Sequence, residues 1–218
     1  MRMKPRFGSI IVRGLVALVV VWAALGVVAV YKTRKVRTDA GEFLKDFTQL
    51  QVGKATLDEV RPLVDGYHGE WRTYGLFPPA CCGPGSKMAE FVFDNHWQHW
   101  FFFTPLTVLG ADIGINGNGV CDRSMSLFTV TKAPLGVSVH EFPEGEQPGL
   151  FHSRLNIFKT IVTLTVSASS AQRTAAYSVN LDCLTKLRGC RDAREMAPAT
   201  WQNSREVAPS YWKSQWDD

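Results

Sequence analysis

Hydrophobic positions at the start of the chain do not alternate with polar ones. Gly14 to Tyr31, GLVALVVVWAALGVVAVY, is one uncharged run of Val, Leu, Ala and Gly with two aromatic residues. At about 1.5 Å per residue in a helix it covers about 27 Å, close to the roughly 30 Å hydrocarbon core of a bilayer. Backbone in lipid satisfies its own hydrogen bonds, so the run is expected as a transmembrane helix over 14–31 despite its valines. A basic tail, 1–13, precedes it and a basic juxtamembrane linker, 32–38, follows. Ile10 to Val12 extend the run if Arg13 snorkels towards the headgroups. Trp22 lies mid-span and Tyr31 at an interface. A cleaved signal peptide, cut at Val27-Val28-Ala29, is the rival reading. Its apolar region would exceed the usual length of about 7–15 residues, so an uncleaved anchor is expected. No Cys stands near the end of the run, which argues against a lipoprotein anchor.

Beyond the linker the pattern becomes helical and then strand-like. Phe43, Leu44, Phe47 and Leu50 share one face of a helix over Asp39 to Gln51, ended by Gly53. A second helix starts at Thr56, with Glu59 placed to complete a capping box, and carries Leu57, Val60, Leu63 and Val64 on its apolar side. Pro62 should kink or shorten it, and Gly66 should close it. Period-two alternation then predicts strands at Met88–Asp94, Trp100–Thr104, Thr107–Ile115, Val120–Thr131, Gly136–Phe142 and Leu155–Ser167. A turn is expected at Asp94–Gln98, a loop at Pro143–Gly149, and a hairpin at Asn116-Gly-Asn-Gly119, where Asn-Gly tolerates positive φ at both turn positions. In the last strand Phe158, Val162, Leu164 and Val166 share a face. A short helix is expected over Ala193 to Ala197, with Trp201, Trp212 and Trp216 in the polar tail. The fold class expected is α+β: an N-terminal transmembrane helix, then two helices packed on a meandering antiparallel β-sheet, with 39–218 as a single globular domain.

Charge separates the two parts. Residues 1–37 hold eight basic residues and no acidic one, leaving 16 basic against 20 acidic residues beyond. The basic balance belongs to the anchor, where it can grip anionic headgroups, and the domain offers no cationic track for nucleic acid. Basic residues flank the run equally, so the positive-inside rule nearly ties; the N-terminal amine tips it towards a cytoplasmic N-terminus. Cysteines tip it further. Cys81, Cys82, Cys121, Cys183 and Cys190 all follow the anchor without a zinc or redox spacing, as disulfides outside the cytosol would. Cys183 and Cys190 bound a short loop; Cys121 can pair with Cys81 or Cys82, leaving one thiol over. The domain is therefore expected on the extracytoplasmic side of the cytoplasmic (inner) membrane, held by a single pass.

Leu50-Gln-Val-Gly-Lys-Ala-Thr-Leu-Asp-Glu-Val60, followed by Leu63, resembles the helix–turn–helix opening of the SmpA/OmlA (BamE-like) family of bacterial envelope proteins. The resemblance covers about Phe43 to Val64. It implies two helices on a small antiparallel sheet and a non-enzymatic role in envelope assembly or maintenance through protein contacts. The chain departs from that family in lacking the lipobox cysteine, in carrying Pro62, and in its longer sheet region. The remainder resembles uncharacterised bacterial membrane-anchored proteins.

Candidate chemistry is sparse. Asp94, His96 and His99 are possible metal ligands, with Asp122 or His140 to complete a site. In a hairpin the two histidines point to opposite sides, so surface histidines are the simpler reading. Trp97, Trp100, Phe101, Phe102 and Phe103 suggest sheet core; were one face exposed, it would be a lipid- or glycan-binding surface. Cys81-Cys82 lies in a turn-rich segment where structural pairing is simpler than thiol chemistry. The Cys-bounded loop, Asp182 to Asp192, reads as a stapled connection or a recognition surface. No G-x-S-x-G elbow or phosphate loop occurs. Contact through protein surfaces is thus expected rather than catalysis, with no cofactor. The surfaces most open to contact are the sheet edge, the Cys183–Cys190 loop, Trp97, Trp100, Trp212 and Trp216. A membrane-tethered metal- or thiol-dependent enzyme, or a lipid- or glycan-binding module, is the alternative.

Overall fold

A computed structural model describes residues 6–74, 81–130, 135–143, 152–154 and 159–207. Trp212, Trp216, Leu155, Phe158 and positions 144–149 of the expected loop lie outside these residues. The helices are α1 (Arg6–Gln49), α2 (Leu57–Gly66), α3 (His96–Phe102), α4 (Ser170–Tyr177), α5 (Ala193–Met196) and α6 (Pro198–Val207), with a 3-10 turn at Leu181–Leu184. The strands are β1 (Glu70–Thr73), β2 (Lys87–Asp94), β3 (Leu106–Asn116), β4 (Gly119–Val130), β5 (Leu135–Phe142), β6 (His152–Arg154) and β7 (Lys159–Thr165).

The apolar run and the first domain helix are one element. α1 is 44 residues long, about 66 Å at the usual rise, and residues 32–38, expected as a linker, are helical within it. From Ile11 to Leu25 its side chains are exposed. Ala29 is 1 % exposed, and from it an inward stripe runs through Thr33, Val36, Ala40, Phe43, Phe47 and Leu50. The steps alternate four and three, so the buried face never changes phase between the run and the domain.

The end of α1 and the start of α2 behave as expected. Gly53 adopts φ 77°, and the Glu59 carboxylate accepts from Thr56 N at 2.7 Å and from Thr56 Oγ1 at 3.0 Å. Pro62 does not break α2, which continues to Gly66 with Pro62 on its exposed side. Past Gly66 the left-handed backbone falls on His68 (φ 56°), and Gly69 N donates to Val64 O at 2.9 Å.

The sheet is seven-stranded, in the order β1-β2-β3-β4-β5-β7-β6. It is mixed rather than a pure antiparallel meander. The chain leaves β5, forms the edge strand β6, and returns as β7 between them, parallel to β5 and antiparallel to β6. Alternation tells which face a side chain takes and not which strand lies beside it, so this crossover was invisible in the pattern.

The β3–β4 hairpin pairs Asn116 with Gly119, and Asn118 N donates to Asn116 Oδ1 at 2.8 Å. Positive φ occurs at Gly119 (116°) and not at Asn118, contrary to the Asn-Gly expectation. A Cβ on Gly119 would collide with the Ala55 carbonyl. Gly53 N donates to Val120 O, and Val120 N to Ala55 O, both at 2.8 Å, so the α1–α2 turn is pinned to the hairpin base.

Helices cover one sheet face. Phe43 packs on Phe91 and Phe93 with ring centroids 4.6 and 5.1 Å apart, and Leu109, Ile113, Met125, Leu127, Val137, Val139, Val162 and Leu164 continue that core. At about 25 cal/mol per Å² of apolar surface removed from water, such a layer is the main stabilising term. The result is an α+β fold carrying a long N-terminal apolar helix.

Candidate functional site

The expected turn at Asp94–Gln98 and strand at Trp100–Thr104 are replaced by α3. Its base is fixed by Asn95, fully buried, whose Oδ1 accepts from Thr107 N at 2.8 Å and whose Nδ2 donates to Pro105 O at 3.1 Å. Asp94 Oδ1 accepts from His96 N at 2.9 Å and so starts the helix. Gln98, buried, donates from Nε2 to Thr185 O at 3.1 Å, joining α3 to the Cys183–Cys190 loop. A short aromatic run fits helix or strand equally on periodicity; a packing surface on α1 decided it.

That surface is the apolar run itself. The Phe101 ring lies 4.5 Å from the Trp22 ring, centroid to centroid, and a Cβ on Gly26 would stand 3.0 Å from Phe101. Phe102 and Leu187 join Val30, Arg34 and Arg37 in a groove of about 570 Å³. The rest of the cluster is open: Trp97 is 52 % exposed, Trp100 68 % and Phe103 85 %. These side chains are therefore not the sheet core that alternation predicts.

Asp94, His96 and His99 do not converge. Asp94 serves the α3 backbone, the His99 ring Nδ1 meets the Thr104 carbonyl, and both histidines lie edge-on to Trp100. Among the described residues no group of three or more His, Cys, Asp or Glu is placed to hold a metal ion.

The cysteines form two disulfides, Cys82–Cys121 and Cys183–Cys190. Cys121 is the extra residue of a register shift between Ile115↔Val120 and Gly114↔Asp122, and the bulge aims it at Cys82. Cys81 is left with a free thiol, whose pKa is pushed up first by burial and then by the Asp122 carboxylate. That environment disfavours a thiolate nucleophile.

One buried constellation escaped the pattern reading. Arg123 and Glu141, each 1 % exposed, pair through Arg123 Nε and Glu141 Oε2 at 2.8 Å. Arg123 also donates to Phe47 O at 2.6 Å, Arg173 Nε to Glu141 Oε1 at 2.9 Å, and Tyr177 Oη to Glu141 Oε2 at 3.1 Å. The Arg123 guanidinium stacks over the Tyr177 and Phe47 rings, 4.6 and 5.3 Å from their centroids. Burial pushes the Tyr177 hydroxyl pKa upward. The group ties the end of α1, the sheet and α4 together. A signal was present: Arg123 shares strand parity with Met125 and Leu127, and Glu141 with Val137 and Val139.

The opposite sheet face is polar at its centre. Ser124 Oγ donates to Asp112 Oδ2 at 3.2 Å, and Asp122 Oδ1 accepts from Tyr74 Oη at 3.0 Å and Gly114 N at 3.1 Å. Burial is the main cause that raises the pKa of both carboxyls. Val92, Phe128 and Val130 on this face are exposed. Comparison with protein-family models, with curated proteins and with solved structures found no match to this chain.

Proposed function

We propose that this is a single-pass protein of the cytoplasmic membrane, its anchor uncleaved, whose domain stands in an oxidising extracytoplasmic compartment and works through protein contacts. The observation that carries the reading is the unbroken inward stripe of α1 from Ala29 to Leu50. Cleavage after Ala29 would cut the chain at a buried residue, the first of that stripe, and would discard Trp22, the partner of Phe101. Two disulfides support the oxidising compartment. The half-buried polar sheet face with its exposed Val92, Phe128 and Val130 supplies a surface for a protein partner. The resemblance of Leu50 to Leu63 to envelope proteins of the SmpA/OmlA type points the same way.

The test is membrane-impermeant maleimide on intact spheroplasts of an expressing bacterium, followed by mass measurement of the denatured chain. One slow adduct, at Cys81, is expected before reduction, and adducts at all five cysteines after it. The intact mass should retain residues 1–29. Protection of every thiol until lysis, with five free thiols then reacting, would overturn the proposal.

A further inference from the structure

Resting on the anchor reading, we propose that α3 and the turn behind it are a second membrane contact, immersed in the leaflet next to the domain beside α1. The occupant of this surface is lipid: acyl chains against the aromatic side chains and anionic headgroups against the flanking cations.

Depth makes the case. Phe101 touches Trp22 and Gly26, which lie well inside the apolar run and not at its end. Trp22 precedes Tyr31 by nine residues, about 13 Å along the helix axis. For α3 to stay in water the bilayer would have to stop before Trp22. Only Gly14 to Val21 would then remain, about 12 Å, or about 18 Å with the extension from Ile10, in either case well short of the roughly 30 Å core. Any bilayer that accepts the run accepts the end of α3 with it.

The chemistry of α3 suits that position. Trp97, Trp100, Phe102 and Phe103 are exposed large hydrophobic side chains on one excursion from the sheet. Apart from the exposed His96 at its start, its polar groups turn inward: Gln98 to Thr185 O, His99 to Thr104 O, and the capping Asn95 to Thr107 and Pro105. Trp and Phe beside a span are residues that interfaces accept, whereas water penalises them.

Phe103 is an independent observation. It has φ 54° and ψ 34°, a left-handed conformation that disfavours a non-glycine residue, and it is the most exposed aromatic side chain among the described residues. Gly or Asn would end this helix at lower cost in water. Beside it the Cys183–Cys190 staple holds Lys186, Leu187 and Arg188 exposed, an apolar side chain between two cations. Thr185 of that loop is the residue that Gln98 grips. Arg34, on α1, lines the groove that also holds Phe101 and Phe102, at headgroup level for a span ending at Tyr31.

Fluorine NMR on the full chain, labelled with fluorotryptophan and reconstituted in phosphatidylcholine nanodiscs, tests this. A fraction of the lipid carries a doxyl spin label near the carbonyl end of its acyl chain. Resonances of Trp22, Trp71, Trp97 and Trp100 are assigned by single Trp→Phe substitutions. Broadening of Trp97 and Trp100 together with Trp22, while Trp71 on the edge strand β1 stays sharp, is the expected result. Broadened Trp22 with sharp Trp97 and Trp100 would overturn the second contact and leave the anchor standing; a protein partner or water would then cover α3. Sharp signals from all four would overturn the anchor reading as well.

Discussion

Glu141 stands between two guanidinium groups and a tyrosine hydroxyl with almost no access to water, and its carboxylate is the sole acidic member of that group. Replacement by the isosteric Gln keeps the shape and removes the charge, leaving Arg123 buried without its counter-ion. Breaking a buried pair in this way costs about 3 kcal/mol or more. Glu141→Gln should therefore lower the urea midpoint of the reconstituted chain at unchanged slope. An unchanged midpoint would mean that Arg123 is satisfied by Phe47 O and the two rings alone. Asp112 behaves oppositely. Burial, with Glu90 and Asp122 adding to it, raises its folded pKa above the ordinary value of 3.8. The stability linked to it is fully present below that ordinary value and is lost as pH rises through the raised one. Asp112→Asn, which can still accept from Ser124, should be more stable than the parent at neutral pH, with the gap closing in acid. Thermal unfolding across pH reads this directly, and a gap that does not shrink in acid would count against the burial cause.

Between elements, the disulfides are unequal. Cys82–Cys121 spans 39 residues and staples the segment before β2 to the bulge in β4; Cys183–Cys190 spans only 7. On loop entropy alone the first is worth about 4 kcal/mol and the second about 2.5. The double substitution Cys82→Ser with Cys121→Ser should thus lower the unfolding midpoint more than Cys183→Ser with Cys190→Ser. The reverse order would show that the short staple's hold on the α3 contact outweighs loop closure. α1 carries the other lesson at this scale. Its stripe of Ala29, Thr33, Val36, Ala40, Phe43, Phe47 and Leu50 is present in the sequence. A boundary drawn by charge at 32–38 hid it, because basic residues on the exposed side of a helix look like a linker when the buried side is made of Ala, Thr and Val. α3 shows the converse. Nothing in Trp97 to Phe103 reports that Trp22, about 75 positions earlier, will lie beside Phe101.

In the whole molecule, the apolar run and the first domain helix are one continuous element; with the run in a bilayer as proposed, the domain's orientation to it would be set by helix phase and not by a flexible tether. The α3 contact would fix that orientation at a second point, leaving the polar sheet face turned to the compartment. Composition, charge and local periodicity by themselves determined the apolar helix, the capped α2, most strands, the inward parity of the core, and a Cys183–Cys190 pair whose spacing admits a staple. Each depends on neighbours within a few turns or one strand. Tertiary structure alone decided which of Cys81 and Cys82 meets Cys121, that β7 slots in parallel between β5 and β6, that Arg123 finds Glu141 and Arg173, and that the aromatic segment becomes a helix against the apolar run. These outcomes rest on contacts between residues far apart in the chain. Pairing partners and burial arise there from the packing of whole elements, and no local pattern encodes them.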